Sequence, residues 1–411
     1  MNRNLRENAE GIARSAIKAV CPDEAVRRAL EGISVSGDLY LVAVGKAGWQ
    51  MAAAALRYLK YAPKDGIVIT KYDHVIHPLP GIRCFEAGHP VPDEKSFLAT
   101  QAVLDMTADL KETDTVLFLL SGGGSALFEK TLVDPEILAE VTRRMLISGA
   151  DITQINAIRK RLSGVKGGRF ALWCAPARIE AVILSDIIGD PVDMIASGPA
   201  AADPVTAEEA MRIAQKYGLT EFPAVSELIE KETPKHIENV NTQIIGSVSE
   251  LCRAAKKAAE ALGYDAQILT DRMDGEAAEM GRWLAALGKE MRGTGKRMAL
   301  IAGGETVVHV TGSGLGGRNQ ELALAAAEIL DGTEEICLIS VGSDGTDGPT
   351  DAAGGYVDGD SMTELAQAGL DYCEMMDEHD SYHALGAIGG LVMTGPTGTN
   401  VNDVTIVLID K

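Results

Sequence analysis

The residues able to do chemistry fall in short glycine-rich stretches. Ser121-Gly122-Gly123-Gly124-Ser125 directly follows the apolar run Val116 to Leu120. Three glycines at a strand end let the backbone turn tightly and bring bare N–H groups to a ligand. A helix beginning there would add its positive end, so a phosphate or carboxylate is the ligand such a loop takes. A tight turn that binds nothing is the competing reading. Lys46 lies in Gly45-Lys46-Ala47-Gly48, again just after an apolar run. A lysine there places a point charge on an anion.

Further along, Gly303-Gly304-Glu305 precedes a GxGxxG at Gly312, Gly314 and Gly317, with Gly316 between, and Arg318 follows at once. That pattern suits the phosphates of a nicotinamide dinucleotide or of ATP. An arginine at the helix start could hold a phosphate through its planar fork. Asp344, Asp347 and Asp351 lie in SDGTDGPTDAAGG. Carboxylates in such a loop point to Mg²⁺, which one or two of them hold together with substrate phosphates; a solvated acidic turn is the alternative. Asp186 and Asp190 are further carboxylates for metal or general base. His89, in GHPVPDE, reads as a structural residue of its turn. There is no GxxxxGK[ST], HExxH or GxSxG.

These stretches need a scaffold. Apolar runs at 40–44, 66–70, 82–85, 116–120, 179–184, 243–245, 266–269, 298–301, 306–310, 336–341 and 405–409 predict strands, and helical periodicity fills most intervals. Alternating strands and helices imply an α/β fold with largely parallel sheets in both halves. The polar, proline-interrupted stretch Glu232 to Asn241 marks a boundary. The expected domains are therefore 1–238 and 239–411, with ligands held beyond the carboxyl ends of the strands, in a cleft between the two.

Composition narrows the partners. The 411-residue chain carries a formal charge of −21. Nucleic acid and anionic membranes demand a basic face, so neither is expected as a partner. Two acid-free basic windows stand out: 39–64, with Lys46, and 152–179, with Arg159, Lys160 and Lys166. Small anions are the natural ligands there. The six cysteines form no CxxC pair, no apolar run is long enough to span a membrane, and the N-terminus lacks a signal peptide's apolar core; a cytoplasmic protein is expected. Oligomeric state is not legible.

Taken together, VGKAG (44–48), GHPVPDE (88–94), LLSGGGSAL (119–127), NAIRKRLSGVKGG (156–168), LSDIIGDPVDMIASGP (184–199), GGETVVHVTGSGLGGRNQE (303–321), SDGTDGPTDAAGG (343–355) and TGPTGTNVND (394–403) resemble the glycerate 2-kinase family. This is the two-domain type whose C-terminal half carries the MOFRL name, and the resemblance covers nearly the whole chain. It implies ATP- and Mg²⁺-dependent phosphorylation of D-glycerate at the 2-hydroxyl. It also implies a Rossmann-like N-terminal domain beside a smaller α/β domain, with the active site in the interdomain cleft. Lys46 and Arg318 match positions that the family's active site would use.

On that basis Ser121–Ser125, Gly303–Glu305, Gly316 and Gly317 are expected to hold the nucleotide, and Asp344 or Asp347 the metal. Asp186 or Asp190 would orient or deprotonate the hydroxyl. Arg159, Lys160 and Lys166 could offset the glycerate carboxylate. One departure is visible: His379 stands where the resemblance leads one to expect asparagine. The rival readings are an NAD(P)H-dependent hydroxypyruvate reductase and a non-catalytic binder of a phosphorylated metabolite.

Overall fold

The computed structural model describes residues 3–410. They form two compact units, one of residues 25–245, the other of residues 246–410 together with 3–24. No helix among the described residues is long and apolar enough to cross a membrane.

The first unit is built on β1 (Leu39–Val44), β2 (Asp65–Lys71), β3 (Arg83–Ala87), β4 (Thr115–Leu120), β5 (Arg178–Leu184) and β6 (Val240–Gly246), in the order β3-β2-β1-β4-β5-β6. The pairings among β1 to β5 are parallel. The order reverses at β1/β4, the switch point where an open α/β sheet leaves a crevice. β4 shows why an unbroken apolar run suits this place. Val116, Phe118 and Leu120 enter one core, Leu117 and Leu119 the other, and all are buried. A strand covered on both faces needs no polar alternation.

The second unit is built on β7 (Asp265–Met273), β8 (Met298–Gly304), β9 (Ile336–Gly342), β10 (Gly354–Asp358), β11 (Leu391–Val392) and β12 (Asp403–Ile409), in the order β11-β10-β9-β12-β8-β7. Only β7 and β8 pair in parallel; β12 lies antiparallel between β8 and β9. The expectation of a largely parallel sheet is therefore corrected for this unit. Because β12 runs backwards, its first residue, Asp403, stands opposite both Gly304 and Gly342, where β8 and β9 end.

Two further expectations change. The division 1–238/239–411 gives way to a discontinuous one. β6 joins the first sheet, while the helix Arg3–Val20 lays Leu5, Ile12, Ala16 and Val20 on Ala299, Ile301, Ile339 and Ile406 of the second. Periodicity reveals an apolar stripe but not which sheet it covers. Thr306 to Val310, expected as a strand, is not one. The chain leaves β8 at Gly304 (φ 156°), and Val307 and Val310 are exposed. Val307 makes one isolated bridge, to Glu276, and no ladder continues from it, so the branched residues do not build a strand.

Candidate active site

In the parallel-sheet unit the switch point gathers the ends of β1, β4 and β5. Gly45 (φ 123°) packs so tightly on Ser121 that any Cβ would collide with it. The Lys46 N–H donates to the Gly122 carbonyl at 2.8 Å, and the Ala47 N–H to Ser121 Oγ at 3.0 Å. These bonds hold the two loops side by side. Gly123 adopts φ 86°, a left-handed conformation that glycine reaches at no steric cost. A Cβ there would meet the His89 ring at 3.0 Å and Lys46 Cγ at 3.2 Å. A Cβ on Gly122 would strike the Asp186 carboxylate.

The segment after the loop, Gly124–Leu127, is one helical turn instead of a full helix. Its dipole contributes little. The N–H groups themselves are what the loop offers: those of Gly122, Gly123, Gly124 and Ser125 have no acceptor among the described residues. Half-buried Lys46 forms no ion pair among the described residues. A positive charge beside four unengaged amides is a cradle for an oxyanion.

The basic window 152–179 divides sharply. Arg159 donates from Nη2 to the Ser125 carbonyl at 3.1 Å, and its Nε is buried without a partner. Arg159 is thus placed at the cradle with donors to spare. Ser125 Oγ lies 3.0 Å from Ser197 Oγ, which donates to Asn156 Oδ1 at 2.7 Å. Lys160 and Lys166, grouped with Arg159 in the sequence, are spent inside the protein. Lys160 Nζ binds Asp193 and Asp203 at 2.9 and 3.0 Å. Lys166 Nζ binds Glu129 and the Phe128 carbonyl at 2.7 and 2.8 Å, and burial pushes it down to about 8 against the pull of Glu129. Neither ammonium is free for a ligand, which corrects that expectation. Asp190 adopts φ 53° and leaves Oδ1 buried without a partner.

In the mixed-sheet unit the helix Arg318–Leu330 starts beside Asp403, the first residue of β12. Arg318 donates from Nε and Nη2 to Asp403 at 2.6 and 3.2 Å, and from Nη1 to Glu305 at 2.8 Å. Asn402 donates to the other Glu305 oxygen at 2.9 Å. Burial opposes the charge on Arg318, but its bonds to Asp403 and the nearby Glu305 outweigh burial and raise it above its ordinary value. Burial drives Asp403 up to about 6 despite Arg318. The guanidinium is thus fixed in place and permanently charged.

Asp347 is not an open ligand. Its Oδ1 accepts from the N–H and Nδ2 of Asn319, and its Oδ2 from the N–H and Nε2 of Gln320, at 2.9 to 3.2 Å. A buried carboxylate saturated by a helix's first amides is a cap, so the structure corrects its assignment to Mg²⁺. Asp344 uses Oδ1 for Thr346 and lines the adjoining pocket of about 610 Å³. No group of three metal-ligating side chains occurs among the described residues. One carboxylate with an oxygen to spare still fits Mg²⁺, which takes most of its ligands from water and phosphate.

The GxGxxG is likewise not a dinucleotide cradle. A Cβ on Gly312 or Gly314 would meet Glu378, on Gly316 Ser381, and on Gly317 Asp347. The N–H groups of Ser313, Gly314 and Leu315 are bound by Glu378 and Asp380. The glycines let the protein's own chain approach, not a pyrophosphate. Gly303 and Gly304 likewise pack on Cys252 and Met273. Val307, Val308, Val310 and Pro349 give the 610 Å³ pocket apolar lining, and Arg318, Asp344 and Glu321 line it too. His379 (φ 56°) bridges Glu321 at 2.9 Å and Thr311 at 3.2 Å within that pocket.

Asp403, which holds the Arg318 guanidinium, was not singled out by pattern reading. The available signal was Asn402-Asp403 standing directly before a β-branched strand.

Comparison with known proteins also divides the chain in two, although the first match takes in most of the leading helix of the mixed-sheet unit. Residues 8–230 match the family described as a domain of unknown function (DUF4147), and residues 298–403 match the MOFRL family. The chain is 49% identical to a protein of Thermotoga maritima named D-glycerate 2-kinase, over 99% of each chain. It is 37% identical to one of Agrobacterium vitis named putative hydroxypyruvate reductase, again over 99% of each. A crystal structure of glycerate kinase from Thermotoga maritima superposes with a TM-score of 0.95 at 48% identity, covering 99% of this chain and 100% of that one.

Proposed function

The chain belongs to the glycerate 2-kinase family, and from that membership we propose that it transfers a phosphoryl group from ATP, with Mg²⁺, to the 2-hydroxyl of D-glycerate. The observation that carries the reading is Lys46: a cation with no anionic partner among the described residues, beside four open amides, in a chain of charge −21. Phosphoryl transfer asks a protein mainly for positioning and charge neutralisation.

In the parallel-sheet unit, the amides of Gly122–Ser125 and Lys46 hold anionic oxygens, and Arg159 faces a carboxylate. Asp186, against Gly122, accepts the hydrogen bond that orients the attacking hydroxyl, and Asp190 is the other carboxylate for that task. In the mixed-sheet unit, Arg318 neutralises charge on the phosphoryl oxygens. The valine-lined pocket beside it takes the apolar part of the nucleotide. Asp344 holds Mg²⁺, which would supply further neutralisation of the phosphates.

A reductase is not supported by the closed glycine loop, where the fingerprint amides are already engaged. Phosphorus-31 NMR of products from D-glycerate, ATP and Mg²⁺ tests the proposal. 2-Phosphoglycerate is expected; 3-phosphoglycerate, or no phosphate ester alongside NADH consumption with hydroxypyruvate, would overturn it.

A pH dependence follows from Asp403. Its carboxyl stands at about 6 in the folded chain against an ordinary 3.8. Between those values the folded chain binds the proton more readily than the unfolded one. The stability this contributes is full below 3.8 and lost as pH rises through 6. Catalysis runs the other way, since protonating Asp403 slackens the grip on Arg318. The expected result is an acid limb in kcat near pH 6 that disappears in Asp403→Asn. An identical limb in the variant would assign it to another group.

A further inference from the structure

We infer that His89 is a ligand-contacting residue, a neutral hydrogen-bond donor that completes the oxyanion cradle made by Lys46 and the amides of Gly122–Ser125. The inference rests on the reading of that loop as the anion site. The sequence places His89 in a turn, where a structural role is the default. A structural histidine in a turn ties its ring to the neighbouring chain, as His74 does: its Nδ1 lies 2.9 Å from the Lys46 carbonyl. His89 does not. Neither of its ring nitrogens has a hydrogen-bond partner among the described residues.

The ring is nevertheless fixed in place. It is half-buried, and its Cδ2 and Nε2 lie 3.0 and 3.1 Å from the position a Cβ on Gly123 would occupy. Lys46 Cγ approaches the same point at 3.2 Å. A side chain at 123 would thus push into both groups, and glycine keeps them together over the loop. A polar ring held against a ligand-binding loop, with its polar atoms unengaged, is a contact waiting for its partner.

Its surroundings fix its charge. Burial lowers the imidazole below its ordinary range, and the facing groups Lys46, Lys71 and His74 lower it further. At neutral pH the ring therefore carries one N–H and no charge. A second full positive charge would compete with Lys46 for the same small space; a neutral donor adds a hydrogen bond without that repulsion. The ligand chemistry is an oxyanion, the carboxylate of a 2-hydroxy acid or a phosphoryl group of the nucleotide.

The test is an NMR titration of the wild-type protein labelled with ¹⁵N-histidine, with His89 assigned by its absence in His89→Gln. One arm adds D-glycerate alone and the other a non-hydrolysable ATP analogue with Mg²⁺. The expected result is that one ligand moves the His89 ring resonances and protects its N–H while the ring stays neutral; the arm that does so names the source of the oxyanion. His89→Leu should lose about 10- to 100-fold in kcat/KM, the scale of a hydrogen bond to a charged group. His89→Gln, which keeps a donor, should recover most of it. Ring resonances unmoved by both ligands would overturn the inference, as would His89→Leu at wild-type kcat/KM. Wild-type protein that forms no phosphoglycerate sinks the kinase reading instead, and leaves the titration to report on the cradle.

Discussion

Arg318→Ala is expected to lower turnover of D-glycerate and ATP by about 10³-fold or more, the scale seen when an arginine that stabilises a transferring phosphoryl group is removed. The geometry explains why this residue is singled out. Of the guanidinium's five N–H donors, those on Nε, Nη1 and Nη2 that face the protein are bound by Asp403 and Glu305. Arg318 also lines the 610 Å³ pocket. The fork is aimed before any ligand arrives, so no reorganisation is needed at the transition state. Arg318→Lys separates aim from charge. It keeps a cation beside buried Asp403, so the melting temperature should change little, yet it loses the fork and should recover only a small part of the rate. Either variant working near the wild-type rate would remove Arg318 from the reaction.

Lys46→Met should cost about 10²- to 10³-fold in kcat/KM, comparable to losing one oxyanion donor from a preorganised site. Methionine keeps an unbranched stem against Gly123 and His89 and removes only the charge. Because Lys46 has no ion pair among the described residues to lose, thermal stability should be nearly unchanged. Lys160→Met and Lys166→Met provide the contrast. Lys166→Met strands buried Glu129 and should cost about 3–5 kcal/mol of stability, whereas Lys160→Met leaves Asp203 its bonds from Arg161 and Thr233 and should cost less. If Lys46→Met behaved like these two, losing stability and activity together, Lys46 would be a structural lysine and the cradle would lack its cation.

Composition set all three lysines in acid-free windows and made each a candidate for an anionic ligand, although only Lys46 also stood in a glycine-flanked strand-end motif. What distinguishes them is tertiary. Asp203 and Glu129 arrive from elsewhere in the chain to bind Lys160 and Lys166, and no carboxylate among the described residues arrives to bind Lys46. The same limit accounts for Asp347 and the GxGxxG. Their spacing is that of ligand loops, but the donors of Asn319 and Gln320, and the carboxylates of Glu378 and Asp380 with the Glu378 carbonyl, satisfy them internally. The parallel sheet was legible because continuous apolar runs such as Val116 to Leu120 have one common home. The mixed sheet was not, because strand direction is decided by where the intervening helices lead. Thr306 to Val310 looked like a strand because its composition is right, and those valines instead form a pocket wall.

The placement of Asp403 on a central, reversed strand bears on how the protein is made. The helix Arg3–Val20 and β12 belong to one sheet unit, though the whole of residues 25–245 lies between them in the chain. During synthesis the interposed unit can close as soon as β6 clears the ribosome. The other must keep its leading helix waiting, its apolar stripe unsheltered, until Ile409 has emerged. Arg318 gains its anchor only at that moment, so a nascent chain cannot be active early, and chaperone demand should concentrate on that leading helix.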